Sequence, residues 1–273
     1  LDIATQEGHK PTDHMEYKVF VPKKMEENMY FYGFGERSGH LNKKYCHYIN
    51  WNTDDPTPHG ETYEKLYKSI PFFITLKDEE AFGIFFDNTF ETHFNLGKEN
   101  SNYYYFASVD GNIDYYFIYG PSIKNVIKGY THLTGTTPLP QLWTLGYQQC
   151  RWAYCPEENV YEIAKKFREK DIPCDTIYLD IEYMDDFRVF TWDKNKFKDP
   201  KKMIENLNDD GFKLVTIIDP GVKVDKGYKI YDEGLENNYF ATDKNGIVYT
   251  NWVWPGNSVF PDFMNSEVRK WWS

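Results

Sequence analysis

Three short stretches in the second half of the chain combine carboxylates, amides and indoles at the ends of apolar runs: Gln148-Gln149-Cys150-Arg151-Trp152, Asp180-Ile181-Glu182-Tyr183-Met184-Asp185 and Asp219-Pro220. If those runs are parallel strands, their C-terminal ends form the face on which α/β folds build active sites. A carboxylate buried there is expensive unless it is paired or hydrogen-bonded. Asp180 and Glu182 are two apart, so a strand that continued through them would point both to one side and Ile181 to the other. Either these groups meet a ligand, or Asp180 pairs with Arg151 or Arg188 to hold loops. Other clusters carry less. Gly33-Phe-Gly35-Glu-Arg-Ser-Gly39 lacks the dinucleotide spacing and reads as a tight turn. The Asp54-Asp-Pro-Thr-Pro-His59-Gly-Glu61 cluster has metal-ligand residue types, but its two prolines and mixed spacing describe a surface loop. The acidic run from Leu179 to Asp186 resembles magnesium motifs of phosphoryl transfer, yet no Gly-rich loop with a lysine accompanies it.

The elements that must position these residues divide the sequence in two. Up to about Gly120, aromatic and β-branched runs at 15–21, 29–33, 46–51, 70–76, 81–86, 91–96, 103–109 and 113–119 alternate with turn signals such as Asp110-Gly111. That pattern predicts an antiparallel sandwich or barrel. From Pro121 the period changes: Ile123, Val126, Ile127 and Tyr130 have helical spacing, and Thr134-Gly-Thr-Thr-Pro138-Leu-Pro140 reads as a stop and linker. Beyond Gln141 strands at 142–150, 175–181 and 213–218 alternate with helices. Pro156 with Glu157 and Glu158 starts the first helix, whose apolar face is Val160, Ile163, Ala164 and Phe167. Asp199-Pro200 starts the second. This spacing predicts right-handed βαβ units and a parallel sheet, either a (β/α)₈ barrel or an open doubly wound sheet. A hairpin-like insertion is expected at 239–248, around Asp243-Lys-Asn-Gly246, and a helix begins after Asn265. Three βα units are half or less of a barrel, which takes about 250 residues alone. The sequence therefore reads as a fragment.

Composition narrows the partners. The 273 residues hold 31 Lys+Arg against 42 Asp+Glu, a net charge of −11, so neither nucleic acid nor an anionic membrane surface is an expected partner. No window has the roughly 18 to 20 apolar residues of a membrane span. The 23 Tyr, 20 Phe and 8 Trp make 19% of the chain. Most suit pleated sheets, and the rest suit ligands such as sugars that offer both apolar faces and hydroxyls. Four cysteines without a C-x-x-C pair imply free thiols, and no N-x-[ST] sequon occurs; a cytoplasmic location is the expectation.

In order along the chain, Tyr32-Gly-Phe-Gly-Glu36, Trp143-Thr-Leu-Gly-Tyr-Gln-Gln-Cys-Arg-Trp152, Leu179-Asp-Ile-Glu-Tyr-Met-Asp185, Val189-Phe-Thr-Trp192, Ile218-Asp-Pro220 and Val253-Trp-Pro-Gly256 through Phe260-Pro-Asp262 resemble the motifs of family 31 glycoside hydrolases, the α-glucosidase family. The resemblance runs from about Tyr32 to Trp272. It implies a β-sandwich over 1–120, a helix and linker over 121–140, and the N-terminal part of a (β/α)₈ barrel over 141–273 with an insertion around 237–262. It also implies a retaining hydrolase of terminal α-linked glucose that needs no cofactor and no metal. Carried over by position, Asp180 matches an aspartate that binds hydroxyls of the −1 sugar, and Ile181 its apolar neighbour. Trp152 stands where many relatives have Tyr. Ile217 and Trp254 match pocket-lining residues, and Asp54 matches an aspartate of a loop that reaches over the barrel. Leu-Asp-Ile-Glu-Tyr-Met resembles the glucosidase branch more than the xylosidase one. The family's nucleophile motif, of Trp-x-Asp-Met-Asn-Glu type, and its acid/base aspartate do not occur, so both are expected after Ser273. The implied partners are an α-glucoside and the remainder of the barrel. Other family 31 chemistry (α-xyloside cleavage, transglycosylation, a lyase reaction) and a non-catalytic carbohydrate-binding fragment are the alternatives.

Overall fold

The computed structural model describes residues 16–273, which divide into two compact units after Thr137. In the first unit eight strands form: β1 (Val19–Lys24), β2 (Met29–Gly33), β3 (His47–Asn50), β4 (Phe72–Lys77), β5 (Glu80–Phe86), β6 (Thr92–Asn95), β7 (Tyr103–Ser108) and β8 (Tyr115–Tyr119). Each falls within or against one of the aromatic runs; the first run begins at Met15, which lies outside the described residues. They make two antiparallel sheets, ordered β1-β7-β6-β3 and β2-β4-β5-β8. Period-2 alternation sorts the side chains. Phe73 of β4, Ile84 and Phe86 of β5, and Tyr104 and Phe106 of β7 enter the main core with Phe31, Phe34 and Phe94. The rings meet in tilted and edge-on pairs, Phe34 to Phe94 at 5.1 Å and Phe86 to Phe106 at 5.0 Å, each adding about 0.5–1.5 kcal/mol beyond the area it buries. Phe72, Ile74 and Ala81 face the opposite way.

That outer face receives α1 (Ile123–Thr134), capped by Ser122, whose hydroxyl accepts from the Asn125 N–H. Val126 is fully buried and Tyr130 stacks on Phe72 with ring centroids 3.8 Å apart. The helix thus packs on the second sheet. Gly83 makes this possible, because a Cβ there would lie 2.6 Å from Val126 Cγ1. Gly33-Phe34-Gly35 is the tight turn that the sequence suggests. Gly33 takes φ +126° with its missing Cβ directed at the Phe72 carbonyl 2.7 Å away, a position open only to glycine.

The second unit holds β9 (Gln148–Gln149), α2 (Glu157–Glu169), β10 (Thr176–Leu179), α3 (Pro200–Asp209), β11 (Lys213–Thr216), β12 (Val222–Lys223), α4 (Lys229–Glu236), β13 (Thr250–Val253), β14 (Gly256–Val259) and α5 (Ser266–Trp272). Strands β9, β10 and β11 form a parallel sheet with β10 in the centre. Buried Val160, Ala164 and Phe167 of α2 and Met203 and Leu207 of α3 share one core with Ile177 and Leu179. Asp199 caps α3 by accepting from the Lys202 N–H at 3.0 Å, and Asn265 caps α5 through the Glu267 N–H at 2.9 Å.

Three sequence expectations need correction. The apolar run at 142–150 is not a strand: Leu142–Leu145 form a 3₁₀ turn, Thr144 bonds back to the Gln141 carbonyl, and only Gln148–Gln149 pair with β10. Apolar character without a pairing partner does not make a strand. The insertion's hairpin is β13–β14, tightened at Gly256, whereas around Asp243-Lys-Asn-Gly246 only a single Thr242–Val248 bridge forms. There the Asp243 carboxylate accepts from the N–H groups of Asn245 and Ile247, which closes a local turn without extending a ladder. Helix α4 was not foreseen, since it has no side-chain cap and carries Gly234 within it.

Candidate active site

Strand β10 stops at Leu179, and Asp180 turns the chain into a 3₁₀ turn, Ile181–Tyr183. Asp180 Oδ1 accepts from the Ile181 N–H at 2.8 Å, so the carboxylate caps the turn and is oriented by it. The strand therefore does not continue, and Asp180 and Glu182 do not share a strand face as the spacing suggested. Glu182 instead accepts a hydrogen bond from the Trp152 indole N–H through Oε1, while its Oε2 is buried without a partner. Tyr183, buried, donates its hydroxyl to the Ile217 carbonyl at 3.0 Å, and the Ile217 N–H donates to the Leu179 carbonyl at 3.0 Å. These bonds lock the ends of β10 and β11 together and hold Ile217 at the edge of the core.

The carboxylate of Asp219, just after β11, is held above the usual range by burial and, secondarily, by the charge of Asp180. The Cys150 thiol is likewise pushed up by burial and then by Asp180. The ends of β9, β10 and β11 thus gather Cys150, Asp180 and Asp219 around one negative potential. Among the described residues, Asp180 forms no loop-holding ion pair with Arg151 or Arg188. Arg188 instead binds Asp225 through Nε at 2.9 Å and also contacts Asp185 and Asp186, and Arg151 lies over the Tyr154 ring. Lys223 bonds Asp186 as well, fastening the loop after the 3₁₀ turn to β12.

The hairpin completes the site. Pairing of Val222 with Val259 brings β14, and with it the Trp254-Pro255 turn, to the end of β11. A small crevice of about 10 Å³ results, lined by Ile181, Met184, Asp219 and Trp254 among others. Of the residues the sequence singled out, Ile181 and Trp254 meet here, Asp180 lies electrostatically next to the crevice's Asp219, and Trp152 and Ile217 flank it through Glu182 and Tyr183. Trp152 and Trp254 remain largely exposed. Asp54 belongs to the other unit, where desolvation first and the Asp54 carboxylate second raise the Tyr67 phenol. That loop is built on the Tyr67 hydroxyl, which donates to the Asp55 carbonyl at 2.8 Å, and on Asp55 accepting from the Thr57 N–H and hydroxyl. Sequence reasoning did not foresee Met184 and Gly221 in the crevice or the Glu182–Trp152 bond. The two-residue spacing of Asp180 and Glu182 gave no sign that a turn would separate them. Among the described residues, no group of three or more His, Cys, Asp or Glu side chains is placed to hold a metal ion.

An antiparallel two-sheet unit followed by parallel βα units, with carboxylates and exposed indoles at the C-terminal strand ends, has the architecture of a sandwich domain joined to the opening part of an α/β barrel. The glycosyl hydrolases family 31 TIM-barrel domain matches residues 137–273, and the family 31 N-terminal galactose mutarotase-like domain matches residues 3–95. The chain belongs to glycosyl hydrolase family 31. It is 49% identical over 250 residues to alpha-glucosidase 2 of Bacillus thermoamyloliquefaciens, covering 92% of this chain and 32% of that protein. Among solved structures it is similar to the family 31 dextranase of Flavobacterium johnsoniae complexed with glucose, at 38% identity and a TM-score of 0.82, covering 93% of this chain and 31% of that one. It is also similar to the family 31 alpha-glucosidase of Bacteroides thetaiotaomicron, at 36% identity and a TM-score of 0.79, with 92% and 43% covered. The chain spans between 23% and 36% of the length of the curated relatives it matches.

Proposed function

We propose that this chain supplies the sandwich domain and the first part of the barrel of an α-glucosidase that releases terminal α-linked glucose with retention. The observation that carries this reading is the surface at the ends of β10 and β11, where the exposed indole of Trp254 stands against Ile181, the neighbour of the oriented Asp180 carboxylate. A sugar ring presents C–H faces and hydroxyls, and this pairing of indole with fixed acceptor suits both. Retention requires a nucleophilic carboxylate and an acid about 5–5.5 Å apart across the scissile bond. Asp180 is committed to its cap and Glu182 to an indole, so neither is given those roles; on this reading the nucleophile and the acid/base come from sequence outside these 273 residues. The chain's partners are then an α-glucoside and the rest of the barrel, and its four free cysteines suit a cytoplasmic setting. The test is the full-length protein with maltose, isomaltose and an α-xyloside, the first-formed anomer being followed by NMR. Release of α-glucose supports the reading; β-glucose, xylose alone, or no hydrolysis rejects it.

A further inference from the structure

The Trp152 side chain stands mostly in solvent, yet it does not swing free. Its indole N–H donates to Glu182 Oε1, which joins the loop after β9 to the 3₁₀ turn after β10. Among the described residues that indole is the carboxylate's only hydrogen-bond partner, and Oε2 is buried without one. Arg188 and Lys196, cations of the neighbouring loops, pair with Asp225 and Asp193 instead. We propose that Glu182 is a positioning residue that sets the direction of the Trp152 ring and, through that ring, which α-linkage the enzyme prefers. The contact of the ring with substrate rests on the function proposed above.

The backbone on either side of Trp152 is held without Glu182. Before it, the Tyr178 hydroxyl donates to Gln148 Oε1 at 2.6 Å, and after it the hydroxyl of buried Tyr154 accepts from Gln149 Nε2 at 2.9 Å. Glu182 is fixed as firmly, since buried Ile181 and Tyr183 flank it and the Cys155 thiol donates to its carbonyl at 3.8 Å. With both backbones anchored, what the carboxylate adds is the orientation of an otherwise loosely packed ring. The cost of this arrangement points the same way. A carboxylate taken out of water with one oxygen unsatisfied destabilises the fold, and Oε2 is enclosed, so no ligand relieves it. An apolar side chain of similar size would serve packing better. A charged acceptor, however, holds an indole N–H more strongly than a neutral one does. Stability given up for local chemistry in this way is characteristic of functional positions. The bond also lies beside Asp180, which opens the same turn, so a change in ring direction is felt at the C-terminal end of the parallel sheet and not in the core.

The experiment compares the full-length protein with Glu182→Leu, Glu182→Gln, Trp152→Phe and the double variant of Glu182→Leu with Trp152→Phe. Glu182→Leu should shift the maltose to isomaltose ratio of kcat/KM about three- to tenfold, while the melting temperature stays level or rises. Glu182→Gln keeps an acceptor for the indole and should return the ratio to within about twofold of the parent. In the Trp152→Phe background there is no N–H to hold, so Glu182→Leu should add no further shift. Labelling with 5-fluorotryptophan reads the ring itself: the Trp152 resonance, assigned through Trp152→Phe, should move in Glu182→Leu. Should Glu182→Leu not fold, Glu182→Ala replaces it with the same expectations. An unchanged ratio, a shift that persists at full size in the Trp152→Phe background, or a Trp152 resonance that stays in place overturns the proposal. Hydrolysis of neither disaccharide by the parent would reject the α-glucosidase reading and the linkage role with it, whereas the resonance would still decide whether Glu182 holds the ring.

Discussion

In the sandwich unit Phe31, Phe34, Phe73, Phe86, Phe94 and Phe106 are fully buried, whereas in the second unit Trp152, Trp252 and Trp254 keep 77%, 76% and 73% of their surface exposed. The backbone around them differs in the same sense. Sandwich strands of four to seven residues pair along their length and close a core between two faces. The parallel strands of the second unit run for two to four residues and then hand over to loops, which carry Trp152, Asp180 and Asp219, while Trp252 and Trp254 belong to the β13–β14 hairpin. Aromatic side chains therefore close the core between the two sandwich sheets, whereas at the strand ends and hairpin of the second unit three indoles face outward. Exposure at strand ends, and not aromatic content, marks the candidate site.

The largest effect expected from breaking this contrast is on the packing side. Phe73→Ala should destabilise the sandwich by about 3–5 kcal/mol, since a fully buried ring leaves a cavity; a urea titration of the full-length protein reads this, and a loss below about 1 kcal/mol would mean that the aromatic core is loosely packed. Next comes Asp180→Ala, which should lower kcat/KM on maltose at least about a hundredfold, or roughly 2.7 kcal/mol, because an oriented acceptor on sugar hydroxyls strengthens as the ring distorts. A loss under about threefold with an unchanged circular dichroism spectrum would return Asp180 to a purely capping role.

These two variants also separate what could be read in the sequence from what could not. All eight sandwich strands were legible because alternating aromatics must pack on both faces of a pleat, as Tyr103, Tyr105 and Ala107 against Tyr104 and Phe106 show. The βα units and their caps were legible for the same local reasons, Asp199 and Asn265 being examples. The geometry at the strand ends was not. Whether Asp180 continues a strand or caps a turn depends on where β10 loses its partners, and the approach of Trp254 to Ile181 depends on a pairing between Val222 and Val259 that no local pattern announces.

A smaller effect sharpens the contact side. Trp152→Tyr keeps a ring but shortens its reach and alters its bond to Glu182, so the maltose to isomaltose ratio of kcat/KM should shift about three- to tenfold, about 1 kcal/mol, with little change in melting temperature. An unchanged ratio with melting lowered by several degrees would assign Trp152 to packing. The smallest effect is in pH dependence. Asp219 has its pKa raised in the folded state, by burial first and by Asp180 second, so the folded protein binds its proton more tightly than the unfolded chain does. Its contribution therefore favours folding at acid pH and is lost as pH rises from the ordinary aspartate value through the raised one. Asp219→Asn should remove that slope in melting temperature as pH rises from the ordinary aspartate value of about 4; a slope identical in the variant would exclude Asp219 as its source.

The sheet orders have a consequence for the sequence of events in folding. Val19 pairs with Ser108, and β2 shares its sheet with β8, so neither sandwich sheet is complete until nearly the whole first unit is available. Such non-local closure is slow, because loop entropy is lost before contacts repay it. The parallel sheet joins β9, β10 and β11 in chain order through α2 and α3, so it can grow one βα unit at a time as the chain lengthens. On the ribosome the first unit should remain protease-sensitive until β8 has emerged and then become resistant in a single step, while the second gains resistance in increments.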